Sequence, residues 1–209
     1  MKARHPGLTA LLVLLGAFLG WPAQSEYSPR EWTILKTGEV VSTEVMMTRP
    51  DGTGTTDVLV KAWIKAPREE VWEIIRSYNT FAEFFPRVRE CRITRQEGET
   101  YWVEYHTELL GLMVIYHLKL IGAEKFRRVD FFLDREQPND VKDTVGFWVL
   151  DDAPEGKGTI LSYSIFVDSG IPIPQFIARK ISKPNLVQVV KNVRQRVESG
   201  GTWKKPKGS

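Results

Sequence analysis

The chain has 209 residues, 42% of them hydrophobic and 26% charged, a balance that builds one globular domain with a sizeable core and excludes a disordered chain. Its formal charge of +3 falls to +1 once the first 25 residues, which carry Lys2 and Arg4 and no acid, are set aside. A body so close to neutral excludes a protein that works by gripping phosphates, so nucleic acid is not an expected partner.

In chain order, Lys2, Arg4 and His5 precede an apolar run from Leu8 to Leu19, and Ala23-Gln24-Ser25 offers small residues where a signal peptidase reads. The run is short for a membrane span, and the cleavage region has no cysteine for lipidation. Residues 1–25 are therefore expected to be a signal peptide cleaved after Ser25, leaving a periplasmic or secreted chain. Residues 26–38 form an N-terminal segment with no assigned element.

From Glu39 to Lys65 two strand-like runs flank the turn chemistry of Arg49-Pro50-Asp51-Gly52-Thr53-Gly54, and Val58, Val60, Ala62 and Ile64 alternate as a half-buried strand requires. A helix follows: Pro67 suits its first position, Glu69 and Glu70 favour its positive end, and Val71, Ile74, Ile75 and Tyr78 recur at helical spacing. Thr80, three residues before Glu83, has the capping-box pattern and opens a second short helix with Phe81, Phe84 and Phe85 on one face, stopped by Pro86.

Beyond Pro86 the period is two. Strands are expected near residues 88–97, 100–109, 113–121, 127–134, 144–151 and 159–167, joined by polar or glycine-bearing turns into an antiparallel meander. The lone Cys91 precludes an internal disulfide and reads as a small buried side chain on a half-buried strand. After Gly170-Ile171-Pro172-Ile173-Pro174 comes a long helix with an apolar stripe of Leu186, Val189, Val190, Val193 and Val197, in which Pro184 predicts a kink or a split. The tail from Trp203 to Lys207 is basic; a solvated terminus is its commoner meaning, and a transient contact with an anionic membrane the alternative.

One hairpin predicts its own register. A two-residue turn at Leu110-Gly111 sets Leu109 against Leu112, Tyr105 against Tyr116, Val103 against Leu118 and Tyr101 against Leu120, all apolar or aromatic. The opposite face then pairs Glu104 with His117, Trp102 with Lys119 and His106 with Ile115.

The order of two short helices early, a run of antiparallel strands and a long C-terminal helix resembles the START-like superfamily with its helix-grip fold, which includes birch-pollen-allergen-like proteins, polyketide cyclases and a coenzyme Q-binding group. The residues that carry the resemblance are Ala66-Pro67-Arg68-Glu69-Glu70-Val71-Trp72 with Tyr78 to Pro86, Gly146-Phe147-Trp148, Gly158-Thr159 and Ile171-Pro172-Ile173-Pro174. It covers roughly residues 39–198 and implies an α+β fold. A curved seven-stranded antiparallel sheet, with two short helices after its first strand, would grip a long C-terminal helix over a cavity, and residues 199–209 would be a separate basic tail.

The cavity so implied would hold an apolar small molecule or lipid. Its expected lining is Tyr101, Val103, Tyr105, Tyr116 and Leu118 of the hairpin, Phe131, the pair Phe84 and Phe85 as lid or packing, and Val189 and Val193 of the last helix. No cofactor is expected. Glu104, His106 and His117 read as a surface ion pair beside a histidine, the sharper alternative being metal ligands. The inward tyrosines could serve as acids in a cyclase-type reaction, but no inward Asp, Glu or His accompanies them as a base. Arg179 and Lys180 read as solvating the last helix, with an acidic headgroup as the alternative. Three functions stay open: an exported carrier of a hydrophobic ligand, a cyclase or hydrolase using inward tyrosines, and a ligand-free interaction module. No sequence motif supports an enzyme.

Overall fold

The computed structural model describes residues 27–48, 52–109, 111–170 and 175–206, with the side chains of residues 48, 55, 109, 155 and 175–182 outside that description. The expected signal peptide, the Ile171–Pro174 approach and the side chains of Arg179 and Lys180 thus lie outside the described residues. Among those described, no helix is long and apolar enough to cross a membrane.

Among the described residues eight antiparallel strands form one sheet: β1 (Val41–Thr48), β2 (Gly54–Ile64), β3 (Val88–Glu97), β4 (Thr100–Leu109), β5 (Leu112–Glu124), β6 (Arg128–Leu133), β7 (Asp143–Asp152) and β8 (Thr159–Asp168). Their order is β1-β2-β8-β7-β6-β5-β4-β3. The sequence-based expectation of seven strands is corrected to eight. Both arms of the first hairpin belong to the sheet, paired from Val41 with Lys61 to Thr48 with Gly54, and the early helices follow the second strand rather than the first.

The β4–β5 register is the expected one at every pair named above, from Leu109 with Leu112 to Tyr101 with Leu120. Gly111 lies in the turn at φ 81°, a left-handed conformation that favours glycine and sets the pairing that follows.

Among the described residues four α-helices accompany the sheet: α1 (Pro29–Leu35), α2 (Arg68–Arg76), α3 (Phe81–Phe84) and α4 (Gln175–Glu198). Helix α1 falls in the segment given no element. Its Ser28 Oγ accepts from the Glu31 N–H while the Glu31 carboxylate accepts from the Ser28 N–H, a complete capping box with Pro29 inside the first turn. The same carboxylate meets the buried Lys61 ammonium at 3.0 Å, so capping the helix also neutralises a charge on the outer face of β2.

The capping box expected at Thr80 is not made. A 3-10 turn over Tyr78–Thr80 joins α2 to α3, and the Thr80 hydroxyl donates backward to the Ser77 carbonyl at 2.8 Å, leaving Glu83 free for other partners. Helix α4 runs unbroken through Pro184 and is not split. Its expected stripe of Leu186, Val189, Val190, Val193 and Val197 is buried throughout.

The main core lies on the inner face of the sheet, where Val58, Val60, Ala62 and Ile64 of β2, Trp148 and Leu150 of β7 and Leu161 and Tyr163 of β8 meet α2, α3 and α4. Smaller clusters cover the back: Leu35, Val41, Ala153 and Ile160 under α1, and Met47, Phe147 and Val149 beside them on the sheet.

Candidate functional site

Strand alternation sends Tyr101, Val103 and Tyr105 of β4 and Tyr116, Leu118 and Leu120 of β5 to the inner face, where Phe131 of β6 joins them opposite Leu120. Phe131 fits because its partner across the ladder is Gly146: a Cβ there would stand 2.4 Å from the phenyl ring and 2.5 Å from the Ser164 carbonyl. Gly146→Ala is expected to cost about 1–3 kcal/mol through overpacking, measured as a fall in the urea midpoint.

All ten expected lining residues belong to one apolar cluster. Phe84, Phe85, Val103, Tyr105, Leu118, Phe131, Val189 and Val193 are buried in it, and Tyr101 and Tyr116 pack against it half-buried. Three further residues were missed. Tyr163 stacks on Trp148 at 3.8 Å with an interplanar angle of 14°, and Thr107 continues the inward series of β4 beside Tyr116. The signal for the first two was the pairing of β7 with β8, which sets Trp148 opposite Tyr163.

Tyr116 is half-buried, whereas Tyr105, stacked on it at 5.3 Å, is buried. Helix α4 packs closely on β2, β8, α2 and α3, and among the described residues β4, β5 and β6 are not its close partners.

The polar groups on this face are neutral. Burial pushes the Tyr116 phenol up to about 12 and raises Tyr105, Tyr163 and Tyr78 as well. At neutral pH these hydroxyls are hydrogen-bond donors and not bases. Burial also raises the Cys91 thiol, which lies beside the Tyr105 hydroxyl, so it is no thiolate nucleophile. Native Cys91 is expected to react with a thiol reagent about a hundredfold more slowly than in urea, followed by absorbance of the released chromophore.

The inner face is packed tightly at α3. Phe81 and Phe85 stack at 4.0 Å, Phe84 meets both edge-on, and Phe85 touches Trp148 edge-on at 6.1 Å. The Phe84 carbonyl accepts from Asn192 Nδ2 at 2.7 Å, so α4 holds α3 directly.

The tail corrects the expectation of a solvated terminus. Lys205 Nζ donates to the carbonyls of Phe85 at 2.7 Å and Val88 at 2.9 Å, and its backbone N–H donates to the Glu83 carbonyl. The Glu83 carboxylate binds Arg196 at 2.8 Å and Lys204 at 3.0 Å, while Arg196 also donates to the Trp203 carbonyl. Burial lowers the Lys205 ammonium, as expected for a cation held against carbonyls instead of water. Residues 199–206 thus belong to the domain and strap α3 from outside.

On the back of the same hairpin, Glu104 bridges both histidines, 2.5 Å from His106 Nε2 and 3.1 Å from His117 Nε2, and pairs with Arg92 at 2.7 Å. This is an ion-pair network, more buried than a surface pair because Asn139 and Pro138 cover His117. Among the described residues no group of three metal-ligating side chains forms a metal site. The His106 bond above all, then Arg92 and His117, holds the Glu104 carboxyl down to about 2 against the effect of burial. Being depressed, it stabilises the fold above the ordinary carboxyl range, and that contribution fades as pH falls toward 2. The urea-midpoint gap between the parent and Glu104→Gln is accordingly expected to be widest at pH 7 and to narrow steadily between pH 4.5 and pH 2.

Many solved structures resemble this one, and three illustrate the likeness. A Thermus thermophilus protein, TTHA0849, is 22% identical with a TM-score of 0.59, covering 70% of this chain and 99% of its own. A STAR-related lipid transfer protein from Xanthomonas axonopodis is 15% identical with a TM-score of 0.58, over 74% and 98%. The Zhui aromatase/cyclase from a Streptomyces species is 16% identical with a TM-score of 0.54, over 77% and 94%. A search of curated protein sequences finds no match. The helix-grip architecture expected from the sequence stands, and a family model matches residues 55–198, more than half of the chain. The chain belongs to the polyketide cyclase/dehydrase and lipid transport family.

Proposed function

We propose that this is an exported binding protein that holds a hydrophobic small molecule or lipid-like ligand against the inner face of β4, β5 and β6. The observation that carries the reading is the continuous aromatic and apolar inner face of these strands, on which Tyr116 stays half-buried and with which α4 makes no close backbone approach among the described residues. Fold kinship with a lipid transfer protein and an aromatase/cyclase favours an apolar ligand. The neutral phenols and thiol favour holding that ligand over transforming it, because a reaction would need a group poised to take a proton near neutral pH.

Export rests on the basic and apolar character of residues 1–25. Lys204 and Lys205 are engaged by Glu83 and by backbone carbonyls of Phe85 and Val88, so membrane contact through them is not part of the reading. Native mass spectrometry of the chain purified from its own cell envelope or medium tests both parts. The expected spectrum shows a polypeptide beginning at Glu26 with an added small-molecule mass that organic extraction removes. A ligand-free spectrum together with no uptake of Nile red would replace the reading with a filled-core module, and full-length chain in the membrane pellet would remove the export.

A further inference from the structure

The two edges of the sheet are built differently. β3 is guarded: its pairing with β4 shifts register between Val88 and Glu90 and between Ile93 and Arg95, the Asn79 side chain takes the Ile93 N–H, and the 3-10 turn and α3 pack beside it. Arg89, Glu90, Arg92, Arg95 and Glu97 add charge along its length. Bulges, covers and charges are the devices that keep an edge strand from pairing with another chain. β1 has no bulge. It pairs with β2 without a break from Val41 to Thr48, carries the single charge of Glu44 and, among the described residues, has no strand on its other side.

The surroundings of this edge narrow what it pairs with. Directly opposite residues of an antiparallel pair share a face, so Ser42, Glu44 and Met46, set against Val60, Val58 and Thr56, lie on the side of the sheet that faces α4. Helix α4 covers β2 there, but among the described residues it is not a close partner of β1. Arg194 ties the helix to the start of β1 by donating to the Gly38 carbonyl at 2.8 Å, where Val40, Val187 and Lys191 line a cleft of about 460 Å³. Beyond the cleft β1 is an open ledge, on which Glu44 is exposed and Met46 is 73% exposed. The flank of α4 above it is basic. Lys183, one turn before Val187, and Lys191, one turn after, share that flank with Arg194, and both lysines are exposed without an ion pair among the described residues. These three cations outnumber Glu39 and Glu44 on the side of the strand. Two copies of β1 set edge to edge would bring two such flanks onto one face of a joined sheet, where like charges oppose self-pairing. An acidic strand meets attraction instead.

We propose that the free edge of β1, beneath the flank of α4, is a docking ledge for an extended acidic peptide segment of a partner protein, which adds one strand to the sheet. Backbone ladder bonds to β1 supply the pairing, alternate carboxylates meet Lys183 and Lys191, and an apolar side chain covers Met46. The ledge lies at the far edge of the sheet from β4, β5 and β6, so this inference stands independently of the ligand-holding reading.

The test is fluorescence polarisation on the mature protein with labelled octapeptides of alternating valine and glutamate, of alternating valine and lysine, and of the valine–glutamate sequence N-methylated either at every valine or at every glutamate. The valine–glutamate peptide is expected to bind about tenfold or more tightly than the valine–lysine one. A strand offers the N–H groups of alternate residues to one edge, so one N-methylated form is expected to lose about tenfold or more in affinity and the other to keep it. Lys183→Glu with Lys191→Glu, both at exposed positions, is expected to reverse the charge preference with the urea midpoint unchanged. Lys125→Glu with Lys142→Glu, equally exposed on other loops, is expected to leave the preference as in the parent. Equal affinity of the two N-methylated forms overturns strand addition, an unchanged preference in the Lys183 and Lys191 variant overturns the ledge, and failure of every peptide to bind overturns the inference outright. A chain that sediments as a dimer and binds no peptide gives the edge to a second copy, which overturns it as well.

Discussion

Phe84→Ala is expected to cost about 3–5 kcal/mol in urea unfolding, the range for deleting a tightly packed phenyl ring. Phe84 is fully buried, its ring meets Phe81 and Phe85 at 5.4 and 5.2 Å, and the Arg196 guanidinium lies 5.3 Å above it. The backbone is anchored as firmly, by Asn192 at the Phe84 carbonyl and Lys205 at the Phe85 carbonyl. Sequence reasoning left this pair open between lid and packing, and the contacts favour packing. Lys205→Ala tests the anchor separately: two carbonyls lose a charged donor, worth about 1–3 kcal/mol, with the rings untouched. A loss at Phe84 below about 1 kcal/mol would return α3 to the role of a lid that spends time open.

The difference between what could and could not be read in advance follows from the range of each interaction. The β4–β5 face was legible because a glycine turn fixes the register and period two then assigns every side chain from Tyr101 to Leu120. The stripe on α4 was legible for the same reason at helical period. The capping box at Ser28 was equally local, yet the segment was too short and polar to suggest a helix until Trp32 and Leu35 found the outer face of the sheet. Thr80 shows the converse: the right residues at the right spacing, captured by a tighter turn to Ser77.

The tail was illegible because its partners are backbone carbonyls. Nothing in the string Trp203-Lys204-Lys205 says that Lys205 will reach Phe85 and Val88, more than a hundred residues away in sequence. The aromatic inner face was half legible for a related reason. Tyr105 and Tyr116 share one hairpin, whereas Tyr163 arrives through the order of β6, β7 and β8, which a meander pattern suggests but does not align residue by residue.

Tyr116→Ala is the complement of the Phe84 substitution. Two aromatic rings of nearly equal size stand in the same apolar cluster, one fully enclosed by packed neighbours and one half-buried. Because a half-buried ring gives up fewer contacts than an enclosed one, Tyr116→Ala is expected to cost less than about 2 kcal/mol, well short of Phe84→Ala. The larger effect falls on binding: the enlarged space should admit bulkier apolar probes than the parent does, seen as a changed rank order in Nile red displacement. His106→Ala supplies the internal comparison, since His106 belongs to the back of the same hairpin with Glu104 and leaves the inner face untouched. Its binding is expected to match the parent even though its stability falls. Equal stability losses at Tyr116 and Phe84 with no change in probe preference would mean that β4 and β5 close a solid core, and a binding defect at His106 would mean that the ligand sits on the opposite face of the sheet.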